Sequence, residues 1–235
     1  MIWVINQHMK FDIDFLDHFS PPTIINNGTI TNINGESVPY TIELGLSKSS
    51  INECNEWQVF TNNLILAYID KNPDVKDYRK AMQNEIMLED YHWNWSKKAI
   101  VYSTIGYNWF FLRTSDGTQS VCLTFHPKES KLQKIDIFYI EYVASAPWNR
   151  QSSLYDRRYI GAGTEIIKQI QLYFINILQY SYGFCLHSLP QSRKFYEKIG
   201  MYNLPDYNKG NTLFYYEIEK ANAISFLEGK NARNR

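Results

Sequence analysis

Cysteine is scarce in this chain of 235 residues, and what is missing with it narrows the reading. The three cysteines, Cys54, Cys122 and Cys185, are odd in number and far apart, with no Cys-x-x-Cys pair. That excludes a disulfide framework and a thiol zinc site, and leaves buried thiols in a reducing compartment. The five histidines form no His-x-x-x-His or His-Glu pair, so no metal is expected. Lys+Arg and Asp+Glu are both 24, and a net charge of zero weighs against a nucleic-acid binder. No apolar run reaches the length of a membrane span. The start of the chain, with Lys10, Asp12 and Asp14 behind a short apolar run, does not read as a signal peptide. A cytoplasmic location is expected, and the sequons at Asn27 and Asn94 are expected to stay unused. No Gly-x-Ser-x-Gly or Cys/His nucleophile stands out.

What the chain does carry is apolar content of 44%, enough for one large domain or one domain with an extension. Residues 1–37 read as an N-terminal extension, with a hairpin at Asn34-Gly35. Residues 38–228 read as the main domain and 229–235 as a disordered basic tail. Residues 38–44 read as a strand, followed by a helix capped by Ser47, Ser49 or Ser50 and running to about Asp70. A second helical stretch covers 74–94. Strands are expected over 100–113, 119–126 and 135–144. The last is apolar on both faces and therefore central. The helical spacing of Ile166, Ile170, Tyr173, Phe174, Ile177 and Leu178 predicts a helix over 164–179. A strand over 184–188, a helix over 190–199 stopped by Gly200, and a closing strand over 213–219 complete the order.

The most informative stretch is Arg158-Tyr159-Ile160-Gly161-Ala162-Gly163-Thr164. It lies between a strand and the opening of a helix. Backbone N–H groups at a helix N-terminus lack intrahelical partners and sit at the positive end of the dipole. Glycine lets that backbone approach a phosphate. No Gly-Lys-Ser/Thr follows, so it is not the nucleotide P-loop, and Ile166 stands where a dinucleotide fingerprint needs a third glycine. Two glycines two apart also suit an ordinary tight turn.

Arg158 to Thr164 resembles the pyrophosphate-binding signature of the GNAT superfamily, Gln/Arg-x-x-Gly-x-Gly/Ala. Downstream, His187-Ser188-Leu189-Pro190-Gln191-Ser192-Arg193-Lys194-Phe195-Tyr196-Glu197-Lys198-Ile199-Gly200-Met201 is similar to that superfamily's later strand–helix motif ending in Phe-Tyr-x-x-x-Gly-Phe/Met. The run Ile140-Glu141-Tyr142-Val143-Ala144-Ser145-Ala146-Pro147-Trp148-Asn149 resembles a bacterial subgroup with an Ala-Pro-Trp-Asn segment after the central strand. The likeness spans roughly residues 38–220, with specific motifs within 135–201. It implies an α/β (α+β) fold with a mixed, mostly antiparallel central sheet. Helices cover both faces, and two strands splay into a V at the cofactor site. It implies acetyl-CoA as co-substrate and acetyl transfer to a primary amine by direct attack in a ternary complex. One departure is that Arg158 lies fifteen positions after Val143 rather than about five. The added residues, Trp148 to Arg157, read as a polar loop over the cofactor or substrate mouth.

The resemblance also implies roles. The cofactor would meet Val143, Arg158, Ile160, Gly161, Ala162, Gly163 and Thr164. Val143 would present its backbone at a bulge, with a core side chain as the plainer alternative. Tyr196 would donate a proton to the departing thiolate, a task that suits a hydroxyl protonated at neutral pH. A packing tyrosine is the alternative in a chain with 18 of them. Independently of the likeness, Glu141 is a carboxylate inside an apolar strand. Burial would raise its pKa toward a value useful to a general base. An ion pair, or a bulge turning it to solvent, would serve equally. Asp136 is a weaker candidate near the strand's start. His187 ends a strand beside the expected cleft, where it could relay a proton or simply be a satisfied structural histidine. His92 and Trp148 are further substrate candidates. A macromolecular amine as acceptor, as in acetyltransferase toxins, a non-catalytic CoA sensor, and a phosphate-binding domain unrelated to CoA remain as alternatives.

Overall fold

The computed structural model describes residues 12–78, 82 and 90–230. Nine strands form one sheet in the order β6-β1-β2-β3-β4-β5-β7-β9-β8. The hairpin of β1 (Thr23–Asn32) and β2 (Ser37–Leu44) is closed around Asn34-Gly35, with Gly35 at φ 83°. Opposite Tyr40 in that pair stands Gly28, where a Cβ would sit 2.6 Å from the Tyr40 hydroxyl. Only glycine lets that ring cross β1 to donate to Glu165 at 2.5 Å.

Strands β3 (Tyr107–Thr114), β4 (Gly117–Glu129) and β5 (Asp136–Ser145) continue the antiparallel sheet. Then β7 (Phe184–Ser188) pairs parallel to β5, and β9 (Phe214–Ile218) closes on β7, with short β8 (Tyr202–Asn203) at the edge. The short β6 (Tyr159–Ile160) pairs with β1 at the opposite edge. Strand β5 therefore lies inside the sheet, as its apolar run requires.

Helices cover both faces. On one side, α1 (Lys48–Lys71) and α2 (Trp95–Val101) pack their Ile51, Cys54, Trp57, Trp95 and Ala99 against Trp109, Phe111, Val121, Leu123 and Ala144. On the other, α3 (Ala162–Asn176), α4 (Arg193–Lys198) and α5 (Lys220–Leu227) pack against Phe110, Cys122, Phe138 and Ile140. The stripe of Ile166, Ile170 and Phe174 is fully buried, and Phe174 stacks on Phe138 with centroids 4.2 Å apart. The Ser47 side chain caps α1 by accepting from the Ser50 N–H at 3.1 Å. This is the mixed, mostly antiparallel α/β architecture expected from the sequence.

Several boundaries move. Residues 100–101 end α2 rather than opening a strand. Asn94 accepts from the Lys97 N–H at 2.8 Å and starts a helix, and Gly106, at φ 93°, turns the chain into β3. Ile100 and Val101 are apolar but exposed, so their hydrophobicity misleads. Helix α3 starts two residues early and stops at Asn176. The 190–199 segment divides into a 3-10 turn, Pro190–Ser192, and α4. Helix α5 carried no sequence expectation. Of the helix expected over 74–94, residues 79–81 and 83–89 lie outside the described residues, as do the first eleven residues and 231–235, and the chain turns at 90–92 rather than staying helical to 94.

Candidate active site

A cleft opens where β5 and β7 part. They pair at Phe138↔Phe184, Tyr139↔Cys185 and Ile140↔Leu186, and then stop. Beyond that point β5 stays on β4 as far as Ser145, and β7 stays on β9 as far as Ser188. The two strands thus leave backbone without sheet partners on either side of a V. A cavity of about 110 Å³ occupies it, lined by Glu141, Tyr142, Val143, His187, Ser192 and Tyr196 among others.

The V is prepared by a bulge. Thr124 stands opposite Ile140 and Leu123 opposite Tyr142, so Glu141 is one residue too many. The extra residue also switches the side-chain alternation. Before it, Phe138 and Ile140 face α3 while Ile137 and Tyr139 face the other way. After it, Val143 packs toward α3, whereas Tyr142 and Ala144 join the α1 side. The cleft consequently reaches both faces of the sheet. Tyr196 approaches it from the α3 face, and Tyr139, Tyr142 and Trp93 from the other.

Glu141 makes no hydrogen bond or ion pair with a described residue. Its pKa is raised, first by desolvation, against the pull of Lys209, Lys98 and Lys128. Tyr196 is 5% exposed, and burial raises its hydroxyl's pKa, so it stays protonated at neutral pH. Its Oη makes no hydrogen bond with a described residue, and Tyr196 lines the cleft. His187 is fully engaged. Its Nε2 donates to the Tyr207 carbonyl at 3.0 Å, which leaves Nδ1 to accept from the Tyr139 hydroxyl at 2.7 Å. Burial lowers its pKa, so it is a neutral, oriented wall of the cleft.

At the outer end of β5 lies the glycine loop. Gly161, at φ 84°, is the N-cap of α3, and no side chain caps it. A Cβ there would meet nothing within 4 Å, so the loop is open to solvent on that side. The first intrahelical bond comes from Glu165 N–H to the Gly161 carbonyl, so the N–H groups of Ala162, Gly163 and Thr164 precede the helical ladder. Gly163 has a different task. A Cβ at that position would lie 2.7 Å from the Ser145 Oγ, so glycine lets α3 close on the end of β5. The loop is pinned from behind by Tyr159 N–H donating to Asn149 Oδ1, and by β6 pairing with β1. Ile160 and Arg158 are exposed, and the Arg158 guanidinium sits 4.9 Å from the Trp148 ring centroid.

The 148–157 insertion folds down onto α1. Trp148 packs edge-on against Trp57 and Phe60, and its Nε1 donates to Gln119 Oε1. Tyr155 donates to the Pro147 carbonyl at 2.5 Å. Arg150 holds Asp90 with two bonds of 2.7 Å and reaches the Ser145 carbonyl, which fixes the end of β5. Neither Trp148 nor His92 lines the cavity, and His92 is exposed. Asp136 is likewise exposed at the strand's start. The structure thus brings together Glu141, Val143, His187 and Tyr196, with the glycine loop at the same strand's end. It adds Trp93, Tyr139 and Lys209 to the lining, which lie outside the quoted motifs, and Tyr142 and Ser192, which lie within them without an assigned role. Among the described residues no group of three or more His, Cys, Asp or Glu is placed to hold a metal ion, and no helix is long and apolar enough to cross a membrane.

No family profile matches the chain, and no curated protein matches it in sequence. Solved structures do resemble it. An uncharacterized protein from Bacillus halodurans superposes with a TM-score of 0.51 at 6% identity, covering 88% of this chain and 100% of that one. The PaiA N-acetyltransferase from Thermoplasma acidophilum, solved with coenzyme A, gives 0.46 at 12% identity, covering 76% and 98%. A GNAT-family acetyltransferase from Listeria monocytogenes gives 0.45 at 10% identity, covering 82% and 99%. At 6% identity, the likeness to the Bacillus halodurans protein bears on fold alone.

Proposed function

We propose that this chain is an acetyl-CoA-dependent N-acetyltransferase acting on a primary amine. The observation that carries the reading is the V between β5 and β7. It has a buried tyrosine with no hydrogen-bond partner among the described residues on one face, a desolvated carboxylate on the other, and a helix N-terminus at its rim.

The residues present fit acetyl-CoA. The open side of Gly161 and the leading N–H groups of α3 form a concave donor set suited to a pyrophosphate, with the exposed Arg158 beside it. Strand β5 beyond Ile140, freed from β7, offers backbone N–H and C=O to an extended pantetheine-like arm. Bound there, acetyl-CoA supplies an acyl thioester. Glu141, directly or through water, takes a proton from the acceptor ammonium. The amine nitrogen then forms the new N–C bond and gives up its surplus proton to water as the C–S bond breaks. Tyr196 gives its hydroxyl proton to the leaving sulfur and is reprotonated from solvent. Holding both reactants in one slot supplies proximity, and the freed β5 amides supply donors to the carbonyl oxygen as charge grows on it. Glu141 as base, Tyr196 as acid and Val143 as the backbone donor are parts of this reading.

The test is thiol release from acetyl-CoA over a panel of amines, with Tyr196→Phe and Glu141→Gln alongside. Turnover lost in both folded variants supports the reading. A wild-type protein that binds acetyl-CoA but consumes none of it would instead favour a CoA sensor.

A further inference from the structure

The charge around the Glu141 face of the cleft is one-sided. Of the described residues lining the cavity, only Glu141 and Lys209 are charged. Two more lysines reach the same carboxylate from different elements, Lys98 from α2 and Lys128 from β4. Lys98 Nζ stands 3.2 Å from the Tyr142 ring centroid and 4.8 Å from that of Trp93. Lys128 Nζ lies 6.0 Å from the Tyr139 centroid. Tyr142, Trp93 and Tyr139 all line the cleft, so both lysines are placed at its wall. None of the three forms an ion pair among the described residues. Lys209 and Lys128 also act on His187, where no acidic group is felt.

Three cations thus surround one carboxylate. Lys98 and Lys128 lie on the side away from α3, because Tyr142 and Tyr139 point away from that helix, and Lys209 acts on His187, whose ring meets Tyr139, so this field is not directed at the phosphate cradle. A simple alkylammonium entering here meets net repulsion. The cost is removed if the acceptor brings its own negative charge, and a positive wall also favours loss of the ammonium proton.

We propose that the acceptor is an amine that also carries an anionic group, a phosphate or a carboxylate, which Lys209 receives with Lys98 and Lys128 beside it. This rests on the acetyltransferase reading and names its substrate class. Trp93 and Tyr142 line the cleft beside such a molecule, with Lys98 held on their rings, while Glu141 faces its amine.

The experiment compares paired amines under saturating acetyl-CoA: ethanolamine with O-phosphoethanolamine, glucosamine with glucosamine 6-phosphate, tyramine with tyrosine. The first two pairs report on phosphate and the third on carboxylate. In at least one pair the anionic member is expected to show kcat/KM about tenfold higher, an advantage that fades with added salt. Lys209→Arg is expected to retain the preference and Lys209→Glu to abolish it. Members without the anionic group used equally well or better throughout would overturn the proposal.

A second measurement does not depend on turnover. Inorganic phosphate is titrated while the backbone amide signals of Glu141, Lys209 and Gly161 are followed by NMR. The proposal expects shifts at Glu141 and Lys209 that vanish in Lys209→Glu and persist when Gly161 is blocked by substitution with Asp. Phosphate shifts confined to Gly161 would overturn it. Failure of acetyl-CoA to bind would remove the acetyltransferase reading but leave this phosphate result to decide the anion site by itself.

Discussion

Placing a carboxylate on the glycine loop is the perturbation whose size can be worked out most directly. Gly161 adopts φ 84° and ψ 10°, and a Cβ there meets nothing within 4 Å. Any substitution is therefore free of clashes but pays for the left-handed backbone, ~1 kcal/mol for Asn or Asp, which tolerate that region best. Gly161→Asn carries this backbone cost and nearly the same shape without charge, so it is the control. Gly161→Asp adds a negative charge at the position assigned to the pyrophosphate. At a separation of about 6 Å and an effective dielectric of about 40, each phosphate charge costs ~1.4 kcal/mol, or ~3 kcal/mol for two charges. That corresponds to roughly a hundredfold weaker acetyl-CoA binding than in the Asn variant. An acidic residue at a helix N-terminus is itself mildly stabilising, so Gly161→Asp should melt no lower than Gly161→Asn. The assay is calorimetric titration of both variants at about 10 mM and about 0.5 M salt. The gap should narrow at high salt as the screening length falls to a few ångströms. Equal affinity of the two variants at low salt would refute the placement of the phosphates on this loop.

Other expectations follow from the same geometry. Tyr196→Phe should lower kcat by about a hundredfold with acetyl-CoA affinity unchanged. Its melting temperature should hold, because the hydroxyl bonds to no described residue, and a matching loss of affinity would move Tyr196 out of the acid role. The rate should rise with pH as Glu141 loses its proton, with a midpoint above the ordinary carboxylate range because burial raises it. Lys209→Ala removes a cation that favours the ionised form, so it should move that midpoint further up, and a downward move would contradict the assigned electrostatics. Glu217→Ala should cost about 3 kcal/mol or more in urea denaturation. That carboxylate is fully buried and accepts from Ser130 Oγ, from the Lys131 and Leu132 N–H groups and from the Tyr215 hydroxyl. A loss below about 1 kcal/mol would mean that the cluster relaxes or hydrates.

The elements that hold the site were legible because their burial is local and periodic. Strand β5 shows as an apolar run interrupted only by Glu141 between Ile137 and Ala144, and α3 shows as an apolar stripe at helical spacing. Gly161 and Gly163 stood out as a pair, yet they do different things. One leaves open space beside the loop and the other lets a helix meet Ser145 at the end of β5, a contact that exists only once strand and helix are packed. Glu141 was conspicuous as a carboxylate among apolar residues. Its bulge was not, because the extra residue is defined only against Leu123 and Thr124 on another strand. Lys98, Lys128 and Lys209 come from three separate elements and carry no motif, so their convergence on Glu141 is a product of packing alone. The 148–157 insertion read as a polar loop over a mouth, but its Trp148 and Tyr155 gave it an apolar underside that docks on Phe60. Ile100 and Val101 misled in the opposite sense, as apolar residues that the fold leaves in solvent.

The central claim is that the V between β5 and β7, with the glycine loop at its rim, takes acetyl-CoA for transfer to an amine. Calorimetric titration of the folded wild-type protein with acetyl-CoA tests it most directly. Saturable binding of one molecule per chain at micromolar concentration, lost in Gly161→Asp and kept in Gly161→Asn, is the predicted result. A folded protein that takes up no acetyl-CoA at millimolar concentration would contradict the account.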